Sequence, residues 1–216
     1  MRFITMKTKL TCVAISDTHG MYNKLDLPDG DVLIHAGDIT RHGKLSELVD
    51  FNDWLGEQPH QHKIIIAGNH DWCFERQKQD CLKILTNAVY LEDESTTIAG
   101  HTFYGSPWQP RFQNWAFNLS RGKALQEKWD MITDNTDVLI THGPAFGLLD
   151  TIHSGEHTGC ENLLFKIEEI KPRVHIFGHI HEGYGRVKHQ GIEFINASVT
   201  NERNKPVNPP IVFTVD

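Results

Sequence analysis

Residues 63–71 read KIIIAGNHD: three isoleucines and an alanine, then abruptly a glycine, an amide, an imidazole and a carboxylate. A short unbroken run of β-branched residues predicts a strand buried on both faces, since a half-exposed strand would alternate apolar with polar. The same break recurs. CVAIS (12–16) runs into DTHG (17–20), DVLIHA (31–36) into GDIT (37–40), DVLI (137–140) into THGP (141–144), and VHIF (174–177) into GHIH (178–181).

Helical patterns lie between these runs. KLSELVDFNDWLG (44–56) puts Leu45, Leu48, Asn52 and Leu55 in register, with Gly56 at the expected C-cap and Pro59 beyond. RGKALQEKWDMI (121–132) aligns Leu125, Trp129 and Ile132, and CENLLFKIEEIKP (160–172) aligns Leu163, Leu164, Ile167 and Ile170. Alternation of strand and helix predicts an α/β fold, in which ligands sit beyond the carboxyl ends of the strands. Each polar cluster falls at such an end. TTIAGHTFYGSP (96–107), RVKHQGIEFINAS (186–198) and PIVFTVD (210–216) read as further strands, antiparallel in part, with a turn at Gly191. No repeat or linker interrupts the chain, so residues 1–216 are expected to form a single domain.

With 216 residues the chain can bury roughly 70–75% of its unfolded surface, and needs neither metal nor disulfide to fold. Its net charge of -7 argues against a broad basic face that tracks long nucleic acid. No apolar run approaches the ~18–20 residues that span a bilayer, so no membrane partner is expected. The start, MRFITMKTKLTCVAIS (1–16), has too short an apolar patch for a cleavable leader. Cys12, Cys73, Cys81 and Cys160 form no C-x-x-C pair and read as reduced thiols of a cytoplasmic protein. The sequons at Asn118 and Asn196 therefore carry little weight.

Histidine is in excess, with 14 copies. His60, His62, His101, His175 and His189 read as ordinary core or surface imidazoles. The others of interest sit in the clusters. Asp17 and His19, and likewise His179 and His181, are spaced i, i+2, which in an extended segment turns both side chains to one side about 6.5–7 Å apart. Asp38, Asn69 and His142 come from three other strand ends. Carboxylate, amide and imidazole without thiolate suit manganese, iron or zinc, with manganese preferred, over Cu(I) or an iron–sulfur cluster. Two divalent ions less two carboxylate charges leave about +2 for an anionic substrate. Such a pair lowers the pKa of a bridging water and steadies an in-line displacement at phosphorus, with Asp38 as the natural bridge because it has two oxygens. His70 is placed to contact substrate and protonate the leaving alkoxide, or else to orient a ligand. Asp71 is expected to orient rather than ligate.

In this order, DTHG, GDIT, GNHD, THGP and GHIH resemble the calcineurin-like metallophosphoesterase superfamily, over about three quarters of the chain. FNDWLG, YGSPW, NWAFNLSRG, GHIHEGYG and INAS are similar to its brain-type metallophosphoesterase-domain branch, akin to the class III cyclic-nucleotide phosphodiesterases. The resemblance implies a four-layer α/β/β/α sandwich of two mixed sheets with a dinuclear site at one edge. It also implies Asp17, His19 and His181 at one metal, Asn69, His142 and His179 at the other, and Asp38 between them. Some relatives carry glycine in place of His179; this chain keeps the imidazole, which predicts a competent second site.

The expected activity is hydrolysis of small nucleotide-like phosphodiesters, cyclic ones included. Alternatives are a phosphomonoesterase or protein phosphatase of the same superfamily and a non-catalytic scaffold. Trp108, Phe112, Trp115 and Phe117 crowd the stretch 106–117, which reads as a base-stacking loop, a hydrophobic lid or a homodimer contact. Arg41, His153 and His157 are rim candidates, each with a plain solvated reading beside it.

Overall fold

A computed structural model describes residues 7–216; residues 1–6, where the leader reading partly falls, lie outside the described residues. In chain order the strands are β1 (Leu10–Ile15), β2 (Val32–Ala36), β3 (His62–Ile66), β4 (Val89–Tyr90), β5 (Glu94–Ile98), β6 (His101–Ser106), β7 (Gln109–Pro110), β8 (Asn118–Leu119), β9 (Val138–Thr141), β10 (Val174–Phe177), β11 (Gly185–His189), β12 (Ile192–Asn196) and β13 (Ile211–Val215). The helices are α1 (Leu45–Glu57), α2 (Trp72–Ile84), α3 (Lys123–Trp129) and α4 (Glu161–Ile170).

One sheet runs β13-β1-β2-β3-β4 and a second β11-β12-β10-β9-β6-β5. In the first, β1 to β4 are parallel and β13 closes the edge antiparallel to β1. In the second, β6, β9, β10 and β12 are parallel, while β5 and β11 are antiparallel hairpin partners at the edges.

The burial explains the isoleucine run. Ile64 and Ile66 point into the core between the sheets, against a layer that includes Phe103, Ile140 and Ile176. Ile65, one residue out of phase, packs with Leu48, Phe51, Leu55 and Phe74 under α1 and α2. On the far side, Leu139, Phe177 and Phe194 lie under Leu125, Trp129, Leu163 and Ile167 of α3 and α4. Both sheets are therefore covered on both faces, which gives the four layers α/β/β/α.

Three details differ from the sequence reading. Gly56 is inside α1, and Gln58, with extended ψ 136, ends the helix. An added Cβ at Gly56 would lie 2.9 Å from the Asn87 side chain, so this glycine serves a close contact rather than a cap. Helix α2, directly after GNHD, is not among the helical patterns read from the sequence, and its backbone leaves helical geometry at Gln77. Finally, α3 ends at Trp129, so the buried Ile132 is outside the helix that it was assigned to.

All four cysteines are buried free thiols. Asn196 is fully buried, its amide donating to the Leu149 and Ile180 carbonyls, so this sequon is structural. No helix among the described residues is long and apolar enough to cross a membrane.

Candidate metal centre

The five clusters follow β1, β2, β3, β9 and β10, and all five strand ends point to one edge of the sandwich. The side chains reach it by tight turns, not by extended spacing. Asp17 (φ 56), His19 (φ 44), Asp38 (φ 57) and His179 (φ 66) all adopt left-handed backbone, which overturns the i, i+2 strand geometry. Each such residue costs on the order of 1–3 kcal/mol, and the conformation persists because surrounding contacts hold it. Those contacts centre on carboxylates. Asp17 accepts from the His179 amide at 3.0 Å and the Ser198 hydroxyl at 2.8 Å, and Thr200 donates to its carbonyl at 2.8 Å. Asp38 accepts from the His70 amide at 2.8 Å.

The glycines before the ligand candidates are explained by crowding. A Cβ on Gly178 would lie 2.1 Å from Asp17 Oδ2, and one on Gly68 would lie 2.3 Å from Asp38 Oδ1. A side chain at either position would displace a carboxylate from the centre.

Around Asp38 stand His142 Nε2 at 3.4 Å, His19 Nε2 at 3.8 Å and His70 Nε2 at 4.0 Å; His181 Nε2 is 3.3 Å from Asp17. Asn69 Oδ1 is 2.9 Å from His142 Nε2, and the rings of His142 and His179 are 5.0 Å apart. All seven expected ligands thus meet at one place.

Hydrogen bonding shows what this place lacks. His142 Nδ1 donates to the Ala36 carbonyl at 3.0 Å and His181 Nδ1 donates to the Asn201 carbonyl at 2.9 Å. Each ring therefore spends one proton outward and turns its Nε2 toward oxygens that can only accept. Both His19 nitrogens are buried without a partner. Unpartnered buried nitrogens beside closely set carboxylates are costly unless a cation lies among them. Three groups of potential ligand atoms, Asp17/His19/His181, His19/Asp38/His70 and Asp17/Asp38/His142, each fit within 4.8 Å, so the residues suit divalent cations.

The protonation equilibria show the same deficit. Burial disfavours the charged rings of His142 and His181. The Asp38 charge and hydrogen bond at His142, and the Asp17 hydrogen bond and charge at His181, nevertheless push each up to about 9. Burial tends to raise both carboxyls, yet the same imidazoles hold Asp17 and Asp38 well below the usual carboxylate range. At His179, burial and then the His142 charge push the ring down to about 3.

Asp71 binds the Ile39, Thr40 and Gly68 amides and the Thr40 hydroxyl, tying the loop after β2 to the loop after β3. Burial, followed by the Asp38 charge, pushes its carboxyl up to about 6. Sequence reasoning missed Ser198 and Thr200, which brace Asp17; INAS reads as a sequon and as part of the family resemblance, but not as a support for a carboxylate. It also missed the paired supports His35 Nε2–Thr18 Oγ1 (2.9 Å) and His175 Nε2–Thr141 Oγ1 (2.8 Å) beneath the site.

The aromatic stretch divides. Phe117 is buried and Trp108 donates to Asp93 at 2.9 Å, whereas Phe112 is half exposed, 6.1 Å from the His179 ring. Phe112 forms one wall of a cavity of about 440 Å³ with His179, Arg111, Pro144, Ile152 and His153. A shallower hollow of about 330 Å³ opens directly over His19, Asp38, Asn69, His70 and His181. His153 pairs with Glu202 at this rim, whereas His157 faces Asp150 at 2.6 Å and is not part of the centre.

A double sheet with a carboxylate–imidazole centre at its edge defines the phosphoesterase class that the motifs resemble. Residues 10–183 match the family Calcineurin-like phosphoesterase, and the chain belongs to that family. It is 45% identical to human Metallophosphoesterase domain-containing protein 1, over 95% of this chain and 70% of that one. It is 42% identical to UPF0046 protein K07C11.7 of Caenorhabditis elegans, over 95% and 75%. The solved Phosphopantetheinyl Hydrolase from Mycobacterium tuberculosis superposes with a TM-score of 0.65 at 17% identity, covering 94% of this chain and 95% of that one, a likeness of fold.

Proposed function

We propose that the protein is a metal-dependent phosphodiesterase for small nucleotide-like diesters. The observation that carries this reading is the convergence of two carboxylates, an amide oxygen and inward-turned imidazole nitrogens at one place, with both His19 nitrogens buried and unpartnered. Asp17, His19 and His181 would hold one cation and Asn69, His142 and His179 the other, with Asp38 shared. Manganese is our first choice, with iron or zinc as alternatives. When bound, such a pair supplies Lewis acidity to the phosphoryl oxygens and a water of lowered pKa.

The chain's own residues do the rest. His70 Nδ1 donates to the Arg41 carbonyl at 3.1 Å, which leaves Nε2 facing the Asp38 side of the hollow. From there Nε2 can deliver a proton to a departing alkoxide. The cavity beside His179, walled by Phe112, Pro144 and Ile152 together with Arg111 and His153, has room for a second ester arm, which supports a diester reading.

The test is hydrolysis of bis-p-nitrophenyl phosphate against p-nitrophenyl phosphate by the Mn²⁺-loaded protein, followed by a panel of cyclic and linear nucleotides. Higher kcat/KM on the diester is expected. Preference for the monoester would reassign the protein to the monoesterases, and absence of turnover on both would leave a scaffold.

A further inference from the structure

The described residues contain seven arginines, and four of them have partners. Arg76 lies 3.9 Å over the Trp72 ring, Arg121 meets Glu161 at 2.6 Å, Arg173 is 3.6 Å from Asp137, and Arg186 pairs with Glu193. Among the described residues, the guanidinium groups of Arg41, Arg111 and Arg203 make no hydrogen bond or ion pair; Arg41 and Arg203 are tied down by their backbones alone. All three line hollows at the metal centre. Arg111 is in the cavity with Phe112, while Arg41 and Arg203 share a smaller hollow of about 100 Å³ with His19, Met21 and Asn204. In a chain of net charge -7, leaving the unpaired arginines at one rim creates a local positive site.

Both arginines of the smaller hollow are carried on anchored backbone. The Arg41 carbonyl accepts from His70, as described above. Arg203 sits in a tight turn whose Asn201 side chain accepts from the Arg203 and Lys205 amides, and the Asn201 carbonyl accepts from His181 at 2.9 Å. Each arginine therefore sits on a segment whose backbone is bonded, directly or through a neighbour, to an imidazole of the centre. Of the nearby acids, Glu202 feels the Arg203 charge, though its main partner is His153. Glu202 is engaged by His153, which Glu182 also approaches at 3.9 Å.

We propose that Arg41 and Arg203 form a second anion subsite beside His19, for a phosphate group that the substrate carries in addition to its scissile phosphoryl group. The idea rests on the phosphodiesterase reading for what occupies the centre. His19 and Asn204 are the walls common to this hollow and the one over the centre, so one ligand can reach both. The hollow is small and open to solvent, and it has room for a tetrahedral oxyanion. Guanidinium is always charged and its forked donors match phosphate oxygens. Because both arginines are exposed, solvent and salt screen the attraction, and its effect is about tenfold in affinity rather than many orders.

Calorimetry on the Mn²⁺-loaded protein at low salt should compare thymidine 5′-monophosphate with thymidine 3′,5′-bisphosphate. The bisphosphate is expected to bind about tenfold more tightly. That ratio, read within each variant, should collapse toward one in Arg41→Ala and Arg203→Ala, shrink at raised salt, and survive in Arg111→Ala. Equal affinity for the two nucleotides in the wild type, or a ratio unaltered in both Arg41→Ala and Arg203→Ala, overturns the subsite. Thymidine 5′-(p-nitrophenyl phosphate) reports separately on the reaction. No hydrolysis of it, with the binding ratio intact, would sink the phosphodiesterase reading and leave the subsite standing; hydrolysis with no binding ratio would do the reverse.

Discussion

The indole of Trp115 lies on the imidazole of His70, ring centroids 4.2 Å apart and planes 27° from parallel. Its loop is bonded to the same segment, with the Ala116 amide donating to the Asn69 carbonyl at 3.1 Å and the Phe117 amide to Glu75 at 2.8 Å. One member of the aromatic stretch is thus spent on clamping His70 between a ring and the Arg41 carbonyl.

If His70 protonates the leaving group, loosening the clamp matters only where a proton is needed. We predict that Trp115→Ala lowers kcat by about tenfold or more on diesters with alkyl leaving groups, within the 10²–10⁴ range of general acid catalysis. On p-nitrophenyl diesters the loss should be small, and Trp115→Phe should restore most of the alkyl activity. Equal losses on both substrates would mean that Trp115 supports the loop without acting through His70.

Asp38→Asn keeps an oxygen that can accept from the His70 amide but removes the charge shared by three imidazoles. We expect kcat to fall by about a hundredfold or more, with reduced metal content and an unchanged circular dichroism spectrum. Retained turnover and full metal content would take Asp38 out of the centre.

Gly178→Ala puts a methyl group where Asp17 Oδ2 now lies. The predicted cost is roughly 1–3 kcal/mol of stability from overpacking, together with weaker metal binding. Thermal melts with and without Mn²⁺ separate the two effects. A wild-type metal titration in this variant would show that the Asp17 carboxylate can move aside freely.

Chelation should both stop turnover and lower the melting temperature, and Mn²⁺ should restore both. A cation present at a hundred times its dissociation constant stabilises the folded state by about 2.7 kcal/mol. A melting temperature indifferent to chelator would mean that the acceptor cluster holds no cation in the folded protein.

His175 is buried beneath the site, its Nε2 bonded to Thr141 Oγ1, and burial pushes its pKa down to about 3. The unfolded chain takes up this proton below about pH 6.5 while the folded one does not. Its contribution is therefore complete above that pH and is lost as the pH falls toward 3, by roughly 1.4 kcal/mol per unit. Thr141 still donates to the Gly143 carbonyl at 2.7 Å without the imidazole, so His175→Leu should flatten this part of the urea midpoint–pH curve. An equally steep curve in that variant would assign the acid sensitivity to other groups.

The strand runs and the polar residues that end them could be read directly, because burial on both faces imposes a local pattern that each run carries by itself. Helix α2 was not read from the sequence; it buries only Cys73, Phe74 and Cys81 and is kinked at Gln77. Nor was the bracing of Asp17 by Ser198, because the two are 181 residues apart and nothing local in INAS points to a carboxylate.

The amino-acid order alone determined the α/β alternation and the kinds of donor delivered to one edge, since hydrophobic periodicity and short motifs are properties of neighbouring residues. Only the tertiary structure decided how these donors face one another: the left-handed turns at Asp17, His19, Asp38 and His179, the contact of Trp115 with His70, and the pairing of Arg41 with Arg203 in one hollow. Such relationships arise where two packed sheets bring distant loops together, and no local pattern records that distance.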